Sequence, residues 1–229
     1  MHVIALLSQK GGGGRTSLAV SLATAAEEAG HETLIIDLDP QATACKWGDR
    51  REAESPIVID AQASRLGNAL AKAREGGIAW AIIDTPPRSA EAALAAAKLA
   101  DLIVMPIRPQ MYDLETIPNT LELIATAGAG RTATIPVIAI LNAIPARGSR
   151  HEQARDSLVS LGLTVCDKTI GQRAAFGDAA ALGLSVLEYD KTGRAASEIR
   201  EVYLEIQSIL AKPDASTAGK RQMNRRGAA

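Results

Sequence analysis

Residue types with chemistry to offer are concentrated at positions 8–19, SQKGGGGRTSLA. Four glycines, Gly11, Gly12, Gly13 and Gly14, separate an apolar stretch from an alanine-rich one. With no side chains in the way, the backbone N–H groups of such a loop can turn inward and hold a phosphate on the N-terminus of the helix that follows. Thr16 then stands where the hydroxyl of a phosphate-binding loop meets Mg²⁺. The general pattern asks for lysine just before that hydroxyl, and here Arg15 precedes Thr16 and Ser17. Arginine keeps the charge but exchanges a compact ammonium for a wide planar fork. The expectation is an Arg15 that reaches the β and γ phosphates and preserves binding while slowing turnover. A loss of about 2.7 kcal/mol of transition-state stabilisation costs roughly a hundredfold in rate.

Three carboxylates follow later apolar stretches. Asp37 and Asp39 stand in DLDPQ with one residue between them, and two acids so placed at a strand end are expected to do different jobs. Asp84 ends AWAIID and is followed by Thr85, Pro86 and Pro87. An acid closing a fully apolar strand beside a phosphate loop holds Mg²⁺, commonly through water, and the two prolines stiffen the next turn. Asn142 ends a further apolar run and could serve a ligand or start a loop.

These groups need a scaffold, and the hydropathy pattern supplies one. Apolar runs at 2–7, 33–37, 56–60, 79–84, 102–107 and 136–141 read as buried strands. Alanine-rich segments with helical spacing lie at 16–29, 64–75, 89–99, 114–127 and 195–211. The alternation predicts a single-domain α/β fold, a mostly parallel sheet with helices on both faces. Ligands of such sheets sit beyond the carboxyl ends of the strands, which is where the glycine loop, DLDPQ, DTPPRS and NAIPARGS fall.

Bulk composition agrees. The 229 residues suit one sizeable domain, with 47% hydrophobic residues but only 3% aromatic, so aliphatic side chains and alanine must fill the core. The formal net charge is −1, yet five basic residues against one acid give 212–229 a net +4 and leave −5 for 1–211. We therefore read 1–211 as the folded domain and 212–229 as a flexible basic tail. Two cysteines without CxxC spacing point to a reducing cytosol, and no apolar run approaches the length of a membrane span.

The segment from Lys10 to Ser17 resembles the deviant Walker A motif, K-G-G-x-x-K-[ST], of the ParA/MinD superfamily of P-loop ATPases. With DLDPQ, IIDTPP and FGDAAALGLSVLEYDKTGRAASEI, the resemblance covers residues 1 to about 211 and is strongest to small ParA-type (ParF-like) DNA partition ATPases. It implies ATP and Mg²⁺ as cofactors and a homodimer that closes around nucleotide. Lys10 would reach in trans to the partner's phosphates. The chain departs from the family at Arg15, where lysine is usual, and at Gly13, where a larger residue is usual.

The resemblance further implies that Asp39 orients or activates the attacking water, that Asp37 lies nearer the magnesium shell, and that Asn142 pairs with the adenine edge. Gln172 and Arg173 would lie near dimer and DNA surfaces, though a solvated helix start explains Arg173 equally well. The implied function is plasmid or chromosome partition through ATP-dependent, non-specific DNA binding, with a ParB-type or other small adaptor, in the cytoplasm and on the nucleoid. Alternatives are positioning of a protein cargo such as a microcompartment or chemoreceptor cluster, or a nucleotide-binding scaffold that does not hydrolyse. Lys220, Arg221, Arg225 and Arg226 are the clearest basic element for DNA, or else merely a solubilising end. Only Met223 is bulky and apolar after Pro213, which argues against a membrane-anchoring helix.

Overall fold

The computed structural model describes residues 1–131 and 133–211. The expected tail, with Lys220, Arg221, Arg225 and Arg226, lies outside the described residues. Seven strands form one sheet, β1 (His2–Leu6), β2 (Thr33–Asp37), β3 (Ile57–Asp60), β4 (Trp80–Asp84), β5 (Leu102–Ile107), β6 (Val137–Leu141) and β7 (Thr164–Val165). Their order is β3-β2-β4-β1-β5-β6-β7, and every pairing is parallel. The helices are α1 (Arg15–Glu28), α2 (Thr43–Asp49), α3 (Leu66–Glu75), α4 (Ala90–Leu99), α5 (Met111–Leu114), α6 (Ile117–Gly128), α7 (Arg150–Ser160), α8 (Ala175–Ala181), α9 (Val186–Tyr189) and α10 (Arg194–Leu210).

Strand alternation divides the core between the two faces of the sheet. Ile4, Leu6, Ile35, Ile82, Val104 and Ile140 point to the face covered by α1 and α10. Val3, Ala5, Ile36, Ile83, Ile103 and Leu141 point to the face covered by α3, α4, α6 and α7. Both sides of the central strands are buried, so they read as continuous apolar runs rather than alternating ones. Alanine makes this arrangement compact. In α1, Ala19, Ala23 and Ala26 are fully buried, and Leu18 and Leu22 interlock with the sheet.

The expected strands all form, with ends trimmed by at most one residue. The predicted helix at 114–127 breaks after Leu114 and resumes at Ile117, where Pro118 sits in the first turn and suits a helix start. The seventh strand is only two residues long and carries no periodicity to read.

One close approach ties α8 to α2. Gly183 follows α8 with φ +69°, and its amide and that of Leu184 close the helix on Ala180 and Ala179. A Cβ added at Gly183 would stand 2.6 Å from the Arg50 carbonyl. The side chains on either side use this contact: Arg51 donates to the Gly183 carbonyl, and the Trp47 indole donates to that of Leu184. Gly183→Ala is expected to lose more than about 2 kcal/mol in urea denaturation, from left-handed strain together with the backbone clash. An unchanged midpoint would show that these two backbones do not pack this closely.

Candidate active site

The glycine loop is dictated residue by residue. Gly12 and Gly14 have φ +77° and +85°, in the left-handed region that side chains rarely adopt. Gly13 is buried, and a Cβ there would press on Ser8 Oγ and the Pro106 carbonyl. A Cβ on Gly14 would fall on the Asn142 amide, whereas one on Gly11 would meet nothing within 4 Å. The loop delivers the chain into α1 with no side-chain cap and no acid in its first turn. The leading N–H groups of α1, at Arg15, Thr16 and Ser17, therefore have no carbonyl behind them and face the loop with the helix's partial positive charge.

Arg15, expected to reach the β and γ phosphates, is bonded to backbone in this structure. It is 7% exposed, and its guanidinium donates to three backbone carbonyls: Nε to Thr85 at 2.9 Å, and Nη1 to Ser8 and to Lys10 at 3.0 Å. Burial lowers its pKa, opposed by the nearby carboxylates of Asp84 and Asp39. In this conformation Arg15 is a strut that fastens the loop to the end of β4.

Asp84 lies in register with Leu6 on one side and Asp37 on the other, at the carboxyl end of the sheet. It is 1% exposed. Its Oδ2 accepts from the Thr16 hydroxyl at 2.6 Å, and its Oδ1 is buried without a partner. Burial pushes its pKa up to about 7, against the lowering effect of the Thr16 hydrogen bond and of Arg15.

Asp37, expected nearer a magnesium shell, stands in register with Asp84 and is held by backbone amides. Its Oδ1 accepts from the Asp39 amide, and its Oδ2 from the amides of Ala44 at 2.9 Å and Cys45 at 3.2 Å. It thus satisfies the start of α2, and burial raises its pKa while those amides lower it. Asp39 lies just beyond the end of β2, at the edge of the same cleft that Asp37 lines. It is partly exposed, its Oδ1 accepts from the Gln41 amide, and it lines an open cleft with Pro86 and Pro87.

Three expected contacts have different partners. The Lys10 ammonium lies 2.9 Å from Asp113 in α5 and 5.2 Å from the centre of the exposed Tyr112 ring, within its own chain. The Asn142 amide donates to the Gly13 carbonyl at 2.8 Å, bracing the loop, while its oxygen accepts from Ala143. Arg173 is paired with Glu198 through Nε and Nη2, so its charge is neutralised on the protein rather than offered to DNA. Gln172 is exposed and precedes α8. Arg108 and Asp113 were missed in the sequence. Both follow β5, and the rule that site residues follow apolar strands would have singled out RPQMYD.

Magnesium fits this site on one observation, the buried Asp84 carboxylate with an oxygen to spare beside the Thr16 hydroxyl. No group of three or more His, Cys, Asp or Glu residues is placed to hold a metal among the described residues. That suits Mg²⁺, which takes one or two protein oxygens and leaves the rest of its octahedron to water and phosphate.

A family model described as the CobQ/CobB/MinD/ParA nucleotide binding domain matches residues 4–186. The chain is 32% identical over 212 residues to the maintenance of carboxysome distribution protein A of Gloeobacter kilaueensis, covering 91% of this chain and 94% of that one. It is 26% identical to the chromosome partitioning protein ParA of Caulobacter vibrioides, covering 83% and 88% respectively. Among solved structures, the septum site-determining protein MinD of Pyrococcus horikoshii, complexed with Mg-ADP, superposes with a TM-score of 0.71 at 17% identity, over 93% of this chain and 99% of that one. No helix among the described residues is long and apolar enough to cross a membrane.

The raised pKa of Asp84 makes a stability prediction. A carboxyl that holds its proton more tightly folded than unfolded stabilises the fold at low pH, and that contribution is lost as pH climbs from 3.8 towards about 7. Without magnesium or nucleotide, Asp84→Asn should therefore be more stable than the parent at pH 8, by on the order of 2–4 kcal/mol, with the gap closing near pH 4. Urea titrations across that range test it, and a variant less stable at pH 8 would refute the strained carboxylate.

Proposed function

The chain belongs to the CobQ/CobB/MinD/ParA nucleotide-binding family, and within it we propose a ParA-type ATPase that uses Mg²⁺ and ATP to switch between monomer and closed homodimer. The observation that carries this reading is Asp84, buried under the glycine loop with one oxygen on Thr16 and the other unsatisfied. Thr16 and Asp84 are the residues that would hold magnesium there, and it would neutralise the carboxylate and stabilise negative charge on the phosphates. The N–H groups of Gly11 to Ser17 bind the phosphates, and Asn142 keeps the loop in register by its bond to Gly13. Asp37 anchors α2 behind the metal position. Asp39, on the open side of the cleft, orients the attacking water. Lys10 exchanges Asp113 for the partner's phosphates on closure.

Hydrolysis is slow in this reading. Arg15 has committed Nε and Nη1 to the carbonyls of Thr85, Ser8 and Lys10, so only Nη2 is left to meet charge developing on the transferred phosphoryl group. The dimer binds DNA without sequence preference, through basic residues that include Lys220, Arg221, Arg225 and Arg226, and an adaptor of the ParB kind sets its lifetime. The cargo is DNA, or a protein assembly. The 32% identity to a carboxysome distribution protein favours the second reading.

Light scattering with Mg-ATP should show dimers that Lys10→Ala abolishes, and a parent chain that stays monomeric at saturating nucleotide would end the switch hypothesis. ATP turnover should rise in Arg15→Lys, by up to about a hundredfold; equal rates would remove Arg15 as the brake. Retention of the ATP-loaded protein on random duplex DNA should fall steeply with salt and weaken when 212–229 is deleted. Absence of retention at low salt would leave a switch that does not use DNA.

A further inference from the structure

Resting on that nucleotide-binding reading, we infer that Arg108 supplies the cis-acting cation for the nucleotide's phosphates which Arg15 does not. Arg108 directly follows β5 and reaches over the glycine loop: its guanidinium atoms stand 3.5–3.8 Å from where a Gly12 Cβ would be. Gly12 is needed for its φ of +77°, and the guanidinium lies in van der Waals range above it. The same side chain lines a cavity with Gly14, Ser17, Asn142 and Arg173, beside the first turn of α1.

Its hydrogen-bonding state sets it apart from the other cations of the site. Arg15 is bonded to three carbonyls, Lys10 is paired with Asp113, and Arg173 is paired with Glu198. Arg108 takes part in no ion pair among the described residues, and its Nε is buried with no partner. A buried guanidinium donor left unmade is costly, and a phosphate oxygen is the acceptor that its planar fork matches best. The uncapped N-terminus of α1 lies beside it and favours the same anion. Because Arg15 has been drawn into the backbone, the charge its ammonium counterpart would present is restored from the neighbouring strand.

The test measures binding of ATP, ADP and adenosine to the full chain by calorimetry, for the parent and for Arg108→Gln and Arg108→Lys. Gln keeps the stem over Gly12 and removes the charge, whereas Lys keeps the charge. Arg108→Gln is expected to bind ATP and ADP about tenfold or more weakly, with adenosine unchanged and the salt dependence of ATP binding reduced. Arg108→Lys should recover most of the loss. Retained ATP affinity in Arg108→Gln, an equal loss for adenosine, or no recovery with Lys would each overturn the inference, since each reports packing or base contact instead of charge. A parent chain that binds no ATP would refute the nucleotide reading itself, and is told apart because there the variants and parent fail together.

Discussion

Asp84 ends a strand that is buried on both faces, and a carboxylate held there is out of reach of water on every side but one. Thr16 satisfies one oxygen, and Arg15 softens the charge from nearby, but neither removes the desolvation that raises its pKa. The arrangement above the sheet follows from this imbalance. The strand ends of β1, β2 and β4 are in register, so the glycine loop, Asp37 and Asp84 arrive at one place, and either a proton or a small cation bound there relieves the strain.

The surrounding residues divide their work between holding and reacting. Asp37, Asn142, Arg15 and the hydroxyl of Thr85, which donates to the Leu6 carbonyl, are bound to backbone groups and fix the loop, α2 and the ends of the strands. Asp84, Arg108, Lys10 and Asp39 retain oxygens or nitrogens for a partner outside the domain, or hold them through surface contacts that are readily exchanged. The Lys10–Asp113 pair is of this second kind, since the Lys10 side chain is partly exposed and its ammonium can reach other acceptors. Rigid neighbours with few, exchangeable reactive groups make a site that can be rebuilt across a dimer without remaking its foundation.

Most of the framework could be read directly from the amino-acid order because parallel strands buried on both faces leave unbroken apolar runs, and Asp84 was conspicuous for interrupting one. β7 could not be, since two residues have no period, and α8 and α9 are too short to show one. Among site residues, what the sequence conveyed was the identity of groups near the strand ends. What it withheld was their allegiance. Asp37 and Asp39 look alike in DLDPQ, yet one is buried and accepts from the first turn of α2 while the other is partly exposed and accepts from Gln41, a distinction made by the path of the chain through Ala42 in the left-handed region. Arg15 looks like a substituted lysine until Thr85, seventy residues on, offers it a carbonyl.

The helix that starts at Arg15 is enclosed between the sheet and α10, with buried residues around its whole circumference. From Leu18 to Ala26 such a rod is packed on every side and is held against rolling. Any shift of the glycine loop must then be taken up at its mouth, in the glycines and in the segment that carries Arg108 to Asp113, while the rod itself serves as a fixed bearing. The domain thereby keeps one end of its site stationary and leaves adjustment to the perimeter.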